Sequence, residues 1–203
     1  MTPGDADTGE TTDTGDGTDT ETAIMEATSR ALRKHGYADV SMAKIAAEFD
    51  GSQSLLHYHF GTKDELIAAQ VRFGRERYEE WAETLPDDPE QRLDALLTSV
   101  VDAEFVGGDT AMMAAIVEMY GRAPDDEKLR TELRAYDETF RRLIRETIED
   151  GQAEGVFQEV DAEAVTWLVF AVHESALLRD LVGEDADGLW DALEQFVLPE
   201  VRR

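Results

Sequence analysis

Six polar or aromatic side chains between positions 53 and 63 have the types and spacing to contact a nucleic acid. Amide, hydroxyl and imidazole groups donate and accept hydrogen bonds, and a glutamine can pair with adenine through two of them. A lysine in the first turn of a helix lies beside free backbone N–H groups, where phosphates bind. The pattern therefore indicates contacts to base edges and to the phosphate backbone. The six residues are Gln53, Ser54, His57, Tyr58, His59 and Lys63.

The surrounding sequence predicts the helices that position these groups. Residues 41–66 read SMAKIAAEFDGSQSLLHYHFGTKDEL. Ser41 and Ser52 are favourable N-caps for two short helices. Asp50 and Gly51, between those helices, are predicted to form the turn because both tolerate left-handed backbone. This layout predicts a helix-turn-helix over residues 41–60, whose second helix has the size to enter a major groove.

The second of these helices has an apolar side and a polar side. Leu55, Leu56 and Phe60 are predicted to face inward, which leaves the polar groups outside. Thr62 and Glu65 form a capping box that opens the next helix. The full set of predicted DNA contacts is Ser41, Lys44, Ser52, Gln53, Ser54, His57, Tyr58, His59 and Lys63.

The charge of the chain is strongly acidic but unevenly distributed. The 203 residues carry a net charge of -27, of which -5 falls in residues 1–18, -3 in residues 19–80 and -19 in residues 81–203. The predicted helix-turn-helix is therefore nearly balanced. Abundant acids, with 15 Arg against 4 Lys, resemble proteins of a high-salt cytoplasm, although an ordinary acidic protein has the same signs. In molar salt the Debye length is only about 3 Å, so remote acids would scarcely repel DNA.

Hydrophobic periodicity predicts an all-α protein of about nine helices in two domains. Residues 1–18 have almost nothing to bury and are predicted to form a disordered acidic tail. Residues 19–79 form the predicted DNA-binding domain, and residues 80–203 a regulatory and dimerisation domain. The absence of Cys excludes disulfides and thiolate metal sites. No long apolar run or signal peptide is found, so we expect a cytoplasmic protein without membrane contact.

The last two predicted helices are unusually apolar. The helix over residues 161–181 is apolar on most sides, and a helix of that kind must be covered on most sides. The helix over residues 187–201 is also apolar although it comes last. We therefore expect both helices to form a homodimer interface as a four-helix bundle. The alternative is that the first of them is the central core helix of a monomer.

The helix-turn-helix segment resembles the TetR family of transcriptional regulators. Family members carry T-M-x-x-I-A-x-x-A-G-V-S-x-G-x-L-Y-x-H-F-x-x-K-x-x-L, which this chain matches without a gap. Its departures include Asp50, where Gly is usual, Gly51, where Val is usual, and His57, where Tyr is usual. The departures predict a less rigid turn and leave the base preference open. The matching residues are Ser41 (for Thr), Met42, Ile45, Ala46, Ser52, Leu56, His59, Phe60, Lys63 and Leu66.

The resemblance implies a dimeric, ligand-responsive repressor that binds double-stranded DNA at a pseudo-palindromic operator. It also implies a cavity for an unknown small-molecule effector, although ordinary core packing would use the same residue types. The segment Gly151–Phe157 is similar to the branch of the family with choline-responsive and pyrimidine-responsive repressors. The predicted cavity residues are Phe105, Met112, Met113, Met119, Tyr136, Phe140, Trp167, Phe170 and His173.

An enzyme and an interaction module are the two other classes of function that the sequence could indicate. An enzyme is disfavoured because the chain has no G-x-S-x-G, P-loop or Cys nucleophile, and no cofactor motif. His173-Glu174 begins like a zinc-protease motif, but the second His is absent, so no metal site is predicted. The stronger alternative is a helical interaction or sensor module that has lost DNA binding, because the chain is acidic and Gly51 replaces a packing residue.

Overall fold

The computed structural model describes residues 15–49, 51–101 and 110–203. Within these ranges the fold is all-α, as predicted, and its only extended pairing is one isolated bridge between Phe157 and Arg202. Phe105, most of the predicted acidic tail and Asp50 of the predicted turn lie outside the described residues. The helices are α1 (Gly15–Asp39), α2 (Met42–Ala47), α3 (Gln53–His59), α4 (Lys63–Ala82), α5 (Pro89–Val101), α6 (Thr110–Arg122), α7 (Glu127–Ala153), α8 (Ala162–Leu181), α9 (Asp187–Phe196) and α10 (Leu198–Val201).

The first helix is longer than its sequence pattern predicts. It begins at Gly15, so residues 15–18, assigned above to the tail, are helical. The pattern also predicts a break at Gly36, where the structure has a positive φ of 70° that only glycine adopts without strain. One further turn then continues to Asp39. This extra turn brings the chain round into α2.

The helix-turn-helix has the predicted caps. The Ser41 and Ser52 hydroxyls accept hydrogen bonds from the backbone N–H groups of Lys44 and Leu55. Leu56 is wholly buried in the N-terminal core, and Phe60 packs against that core from its edge. Helix α3 is therefore held by its apolar side, with its polar side free.

The predicted reason for Gly51 is wrong. Its backbone is not left-handed, because the positive φ values among the described residues belong to other glycines. A Cβ at Gly51 would lie 2.1 Å from the ring of Phe49. Phe49 packs against the N-terminal core and fills the space from the other side of the turn. Glycine is needed here for close approach of a ring.

Helices α4 and α7 form the centre of the molecule. Helix α4 starts at the predicted capping box, in which the Thr62 hydroxyl accepts from the Glu65 N–H at 3.2 Å. The Glu65 carboxylate accepts from the backbone of Gly61 and Thr62 and also pairs with Lys128 of α7 at 2.6 Å. The N-terminal half of α4 belongs to one core and its C-terminal half to a second. One helix thus joins the two domains.

The C-terminal end of the chain closes the second core. The single helix predicted over residues 187–201 is divided at Val197 into α9 and α10. Val201 and Phe157 are both wholly buried in that core. The Gln158 N–H donates to the Val201 carbonyl at 2.8 Å, and Arg202 pairs with Asp94 of α5. The segment at α10 therefore connects the loop before α8 to α5.

Candidate nucleic-acid interface and effector cavity

The polar side of α3 is open to solvent. Gln53, Ser54 and His57 are exposed, and Tyr58 is 84% exposed. A tyrosine is rarely that exposed, since its ring is apolar. His59 is different, because it lies half-buried with Nδ1 3.6 Å from a carboxylate oxygen of Glu21 in α1. Four of the five predicted residues on α3 thus share one accessible face.

The other predicted contacts lie around this face and already have partners. Ser41 and Ser52 act as caps. The Lys44 ammonium donates to the Asp39 carbonyl at 2.7 Å, and the Lys63 ammonium donates to the Tyr37 carbonyl at the same distance. An ammonium group has three protons, so each lysine can keep this bond and still bind a phosphate.

Lys63 is partly buried against Tyr37, a residue that the sequence did not single out. Its Nζ lies 4.5 Å from the centre of the Tyr37 ring, within range of a cation–π interaction. Burial lowers the pKa of Lys63, which Asp64 opposes. Burial also raises the pKa of Tyr37, whose hydroxyl is hydrogen bonded to Arg122. No sequence motif links these three residues, since they come from three separate helices.

A cavity of about 890 Å³ lies among α1, α4, α6, α7 and α8. Its size falls within the range of small-molecule sites in proteins. Six of the nine predicted cavity residues line it: Met112, Met119, Tyr136, Phe140, Phe170 and His173. Met113 and Trp167 are not in the lining; Trp167 is 47% exposed, on the outside of α8.

The sequence missed the cavity wall formed by α1 and α4. Ser29 and Gln70 line it and are joined by a 2.9 Å hydrogen bond, while the Gln70 Oε1 is buried without a hydrogen-bond partner. Gly74 also lines the cavity, where its missing side chain leaves room. In the sequence these residues differ from their neighbours only as small or polar positions along an otherwise apolar helix face. Such positions occur in packed cores as well as in cavities, so they do not predict a cavity wall.

One wall of the cavity is a continuous row of rings. Tyr78 lies 5.2 Å from Trp81 and 6.3 Å from Tyr136, measured between ring centres. Phe140 continues the row, 6.4 Å from Tyr78 and 5.4 Å from His173. Burial raises the pKa of Tyr78 to about 12 and lowers that of His173 to about 4. The rings therefore present neutral, electron-rich faces at neutral pH.

A carboxylate adjoins this row. Asp137 accepts a hydrogen bond from the Tyr120 hydroxyl, and Glu174 also lines the cavity. Burial, together with the nearby Glu174, raises the pKa of Asp137 to about 6 against the opposing effects of Tyr120 and Arg141. Aromatic faces beside a carboxylate form a site for an organic cation.

The outer side of α8 and α9 is apolar and exposed. Leu168, Leu178 and Val182 are 52%, 53% and 71% exposed, and Leu178 also lies at the rim of the cavity. They follow one another on one side of α8 at helical spacing. Phe196 of α9 is 68% exposed. A patch of this kind marks an interaction surface.

The fold and the site define a class: helical proteins with an N-terminal helix-turn-helix, further helices that follow it, and a cavity lined by both parts. Residues 24–69 match the tetR family of bacterial regulatory proteins. Residues 89–197, more than half of the chain, match the C-terminal domain of BetI-type transcriptional repressors. The chain therefore belongs to the TetR family of transcriptional regulators, with a C-terminal domain of the BetI type. No described helix is long and apolar enough to cross a bilayer.

Individual relatives agree with this assignment. The HTH-type transcriptional regulator BetI of Brucella anthropi is 30% identical over 118 residues, which cover 56% of this chain and 59% of that protein. The chain thus matches less than two thirds of this relative's length. A TetR transcription regulator from Haloarcula marismortui is 36% identical, with a TM-score of 0.77 over 87% of this chain and 94% of its own.

A second solved structure shares the fold at lower identity. It is a putative transcriptional regulator from Saccharomonospora viridis in complex with choline. Its identity is 21% and its TM-score 0.73, over 92% of this chain and 99% of its own.

Proposed function

We propose that this chain is a ligand-responsive repressor that binds a pseudo-palindromic operator as a homodimer. The observation that carries the proposal is the exposed face of α3, where Gln53, Ser54, His57 and Tyr58 project from a helix held by its apolar side. Such a helix fits a major groove, and its side chains suit base edges. As a regulator of DNA, the protein would act in the cytoplasm.

The homodimer is supported by the apolar surface of α8 and α9. Ala164, Leu168 and Ala171 are exposed in a row that Leu178 and Val182 continue, at spacings of four, three, seven and four residues along the chain. Two copies packed through this surface would form a four-helix bundle with a two-fold axis. An inverted repeat in the operator would match that axis.

The experiment for DNA binding is selection of target sites from a random DNA pool, followed by titration at rising salt. We expect an inverted repeat, with affinity that falls as salt neutralises the phosphate contacts. Recovery of no preferred sequence at any salt would contradict the proposal. It would favour the alternative, an interaction or sensor module that has lost DNA binding. One observation supports that alternative, namely that lysines near the helix-turn-helix already have partners within the protein. Lys34 pairs with Glu48, and Lys44 and Lys63 donate to backbone carbonyls.

We further propose that the effector is a small organic cation of the choline type. The support is the row of rings from Trp81 to Phe140 beside Asp137, together with the choline in the Saccharomonospora viridis relative. A quaternary ammonium group binds favourably against aromatic faces. Because the pKa of Asp137 is about 6, binding should weaken as the pH falls below 6 and the carboxyl takes up a proton.

Calorimetric titration with choline tests this proposal, and 3,3-dimethyl-1-butanol serves as the matched control ligand. The alcohol has the same shape but a carbon in place of the charged nitrogen. We expect choline to bind and the alcohol to bind more weakly by about tenfold or more, since a desolvated cation–π contact is worth about 2 kcal/mol. Asp137→Asn should weaken choline but not the alcohol. Trp81→Ala should weaken choline more than the alcohol, because the ring also gives both ligands an apolar contact. Equal binding of both ligands would contradict a cation site.

A high-salt origin is a separate proposal. Its support is the net charge of -27, the excess of Arg over Lys and the relative from Haloarcula marismortui. Acidic side chains repel one another at low ionic strength. We therefore expect the midpoint of thermal unfolding to rise as KCl is raised into the molar range.

A further inference from the structure

Helix α6 lines the cavity and also contacts α1 of the DNA-binding domain. Met112, Ile116 and Met119 lie on the side that lines the cavity. Successive residues of a helix are 100° apart, so Glu118 and Arg122 project from a different side, turned by about 90° or more from the average direction of these three residues. Both residues reach the end of α1. A displacement of α6 by a ligand would therefore be felt directly at α1.

Glu118 reaches the point where α1 turns into α2. We define the α1–α2 corner as residues 36–40. The backbone N–H of Ala38 donates to the Glu118 carboxylate at 2.8 Å, across 80 residues of sequence. A Cβ at Gly36 would lie only 3.6 Å from the same carboxylate. A hydrogen bond to a carboxylate is stronger than one to a neutral acceptor, so this contact can fix the corner relative to α6.

The corner is also bound to the start of α4. The Tyr37 carbonyl accepts from Lys63, the first residue of α4, and the Tyr37 hydroxyl is bonded to Arg122 of α6. Tyr37 is buried in the N-terminal core beside Ile45 and Leu56, the buried anchors of α2 and α3. Helices α1, α4 and α6 therefore meet at Tyr37, within the core that also anchors α2 and α3.

We propose that Glu118, assisted by Arg122, is a positioning residue that couples α6 to the helix-turn-helix through the α1–α2 corner. The proposal rests on the proposed function, because it assigns to this contact the transmission between effector cavity and operator. Coupling between two sites requires contacts that both sites can shift. Here one helix lines the first site and holds the second.

Operator binding tests this coupling without any effector, because coupling between two sites is reciprocal. Methionine methyl groups labelled with ¹³C report on both regions by NMR: Met42 lies in α2, and Met112, Met113 and Met119 lie in α6. The probe is the DNA site selected from the random pool. In the wild type we expect the Met42 signal and the α6 signals all to shift when this DNA is added.

Three variants resolve the role of Glu118. In Glu118→Ala the α6 shifts should fall to about half or less of their wild-type size, since a residue on a coupling route changes coupling substantially. The Met42 shift should persist at saturating DNA. Glu118→Gln keeps an oxygen that can accept from Ala38 and should retain most of the α6 response. Glu159→Ala is the matched control, because it removes an exposed carboxylate outside α6.

The outcomes separate the two proposals. A wild-type protein in which Met42 does not shift has failed to bind DNA, which would overturn the proposed function together with this inference. A Met42 shift without α6 shifts would overturn the coupling alone. Equal α6 shifts in Glu118→Ala and the wild type would likewise leave Glu118 with no role in it.

Hydrogen exchange guards against a variant that merely unfolds. The Ala38 amide should exchange about fivefold or more faster in Glu118→Ala than in the wild type, while amides in α7 should exchange at the wild-type rate. Faster exchange throughout the protein would mean general destabilisation; the comparison with Glu118→Gln then decides, and an α6 response no larger in Glu118→Gln than in Glu118→Ala would overturn the proposal.

Discussion

The exposed side of α3 and the exposed side of α8 and α9 both carry large side chains in solvent, yet they differ in chemistry. Around Tyr58 the neighbours are Gln53, Ser54 and His57, all able to form hydrogen bonds. Around Leu168 the exposed neighbours in the same row are Ala164 and Ala171. The first surface suits a polar, charged partner and the second suits an apolar one.

The difference in chemistry explains how one small protein can bind two different partners through two separate surfaces. A patch of polar and aromatic groups remains well solvated when its partner is absent, whereas a row of aliphatic groups is costly to expose. We therefore expect the α8–α9 surface to be covered permanently and the α3 surface to be covered only on DNA. Variants that disable one surface should reveal this asymmetry.

The largest effect is expected at the apolar surface. Leu168→Glu or Phe196→Glu would place charges in the proposed dimer interface, where an unpaired buried charge is strongly unfavourable. We expect monomers by light scattering, with operator affinity reduced by about 100-fold or more because the two half-sites are no longer joined. Glu159→Arg changes an exposed charge elsewhere and should remain dimeric. Dimers that persist in both variants would place the interface on another surface.

A smaller loss is expected at the polar surface. Tyr58→Ala removes one contact per half-site, and each is worth about 1 kcal/mol or more, so operator affinity should fall by at least roughly 30-fold in the dimer. The variant should remain a dimer with unchanged helicity, since Tyr58 is exposed. Tyr58→Phe shows whether the hydroxyl or the ring makes the contact. Undiminished affinity in Tyr58→Ala would show that this face does not enter the groove.

Substitutions at Gly51 and Phe49, in the turn before α3, should partly compensate for each other in the free energy of unfolding. Gly51→Val would force the ring of Phe49 from its position against the core, and we expect a loss of about 1–3 kcal/mol in the free energy of unfolding. Phe49→Ala alone leaves a gap. The double variant should lose less than the sum, because valine then occupies the vacated space. Denaturant titrations of the four proteins measure this, and strict additivity would show that the two sites are independent.

The smallest effect is expected in the cavity between the two surfaces, where two buried groups oppose each other. The pKa of His173 falls to about 4, so the native protein loses stability as the pH drops from 6.5 towards 4. The pKa of Asp137 rises to about 6, so stability falls as the pH rises from 4 towards 6. The two slopes nearly cancel.

Removing either group should expose the slope of the other. The free energy of unfolding of Asp137→Asn should increase as the pH rises from 4 to 6, because only the His173 shift remains. That of His173→Gln should decrease over the same range, because only the Asp137 shift remains. Each slope should be less than about 1.4 kcal/mol per pH unit, the limit for one proton. Urea titrations at several pH values provide the measurement. Parallel pH profiles for both variants would contradict the opposed shifts.

The sequence was most informative where local chemistry decides the structure. The caps at Ser41, Ser52 and Thr62 and the break at Gly36 are local, since each depends on neighbouring backbone. The starts of α2, α3 and α4 follow from the three caps. The start of α1 was harder to predict, because polar residues such as those before Thr20 can also continue a helix.

The cavity was harder to predict, because periodicity gives a helix face without its partner. Met113 and Trp167 are of the same residue types as the side chains that line the cavity, yet neither of them lines it. The wall formed by Ser29 and Gln70 required knowledge of how α1 packs on α4. The close approach of Phe49 to Gly51 was equally hidden, since glycine in a turn usually signals backbone conformation. Tertiary packing decides each of these positions.

The closure of the C-terminal core by α10 limits how this domain can be dissected. Phe157 and Val201 are wholly buried in one core, and Arg202 is paired with Asp94 near the start of α5. A peptide containing only α8 and α9 would lack both ends of that closure. A fragment meant to fold by itself should therefore begin before Tyr78, which belongs to the same core, and include Arg202. Shorter fragments should aggregate as incompletely folded chains.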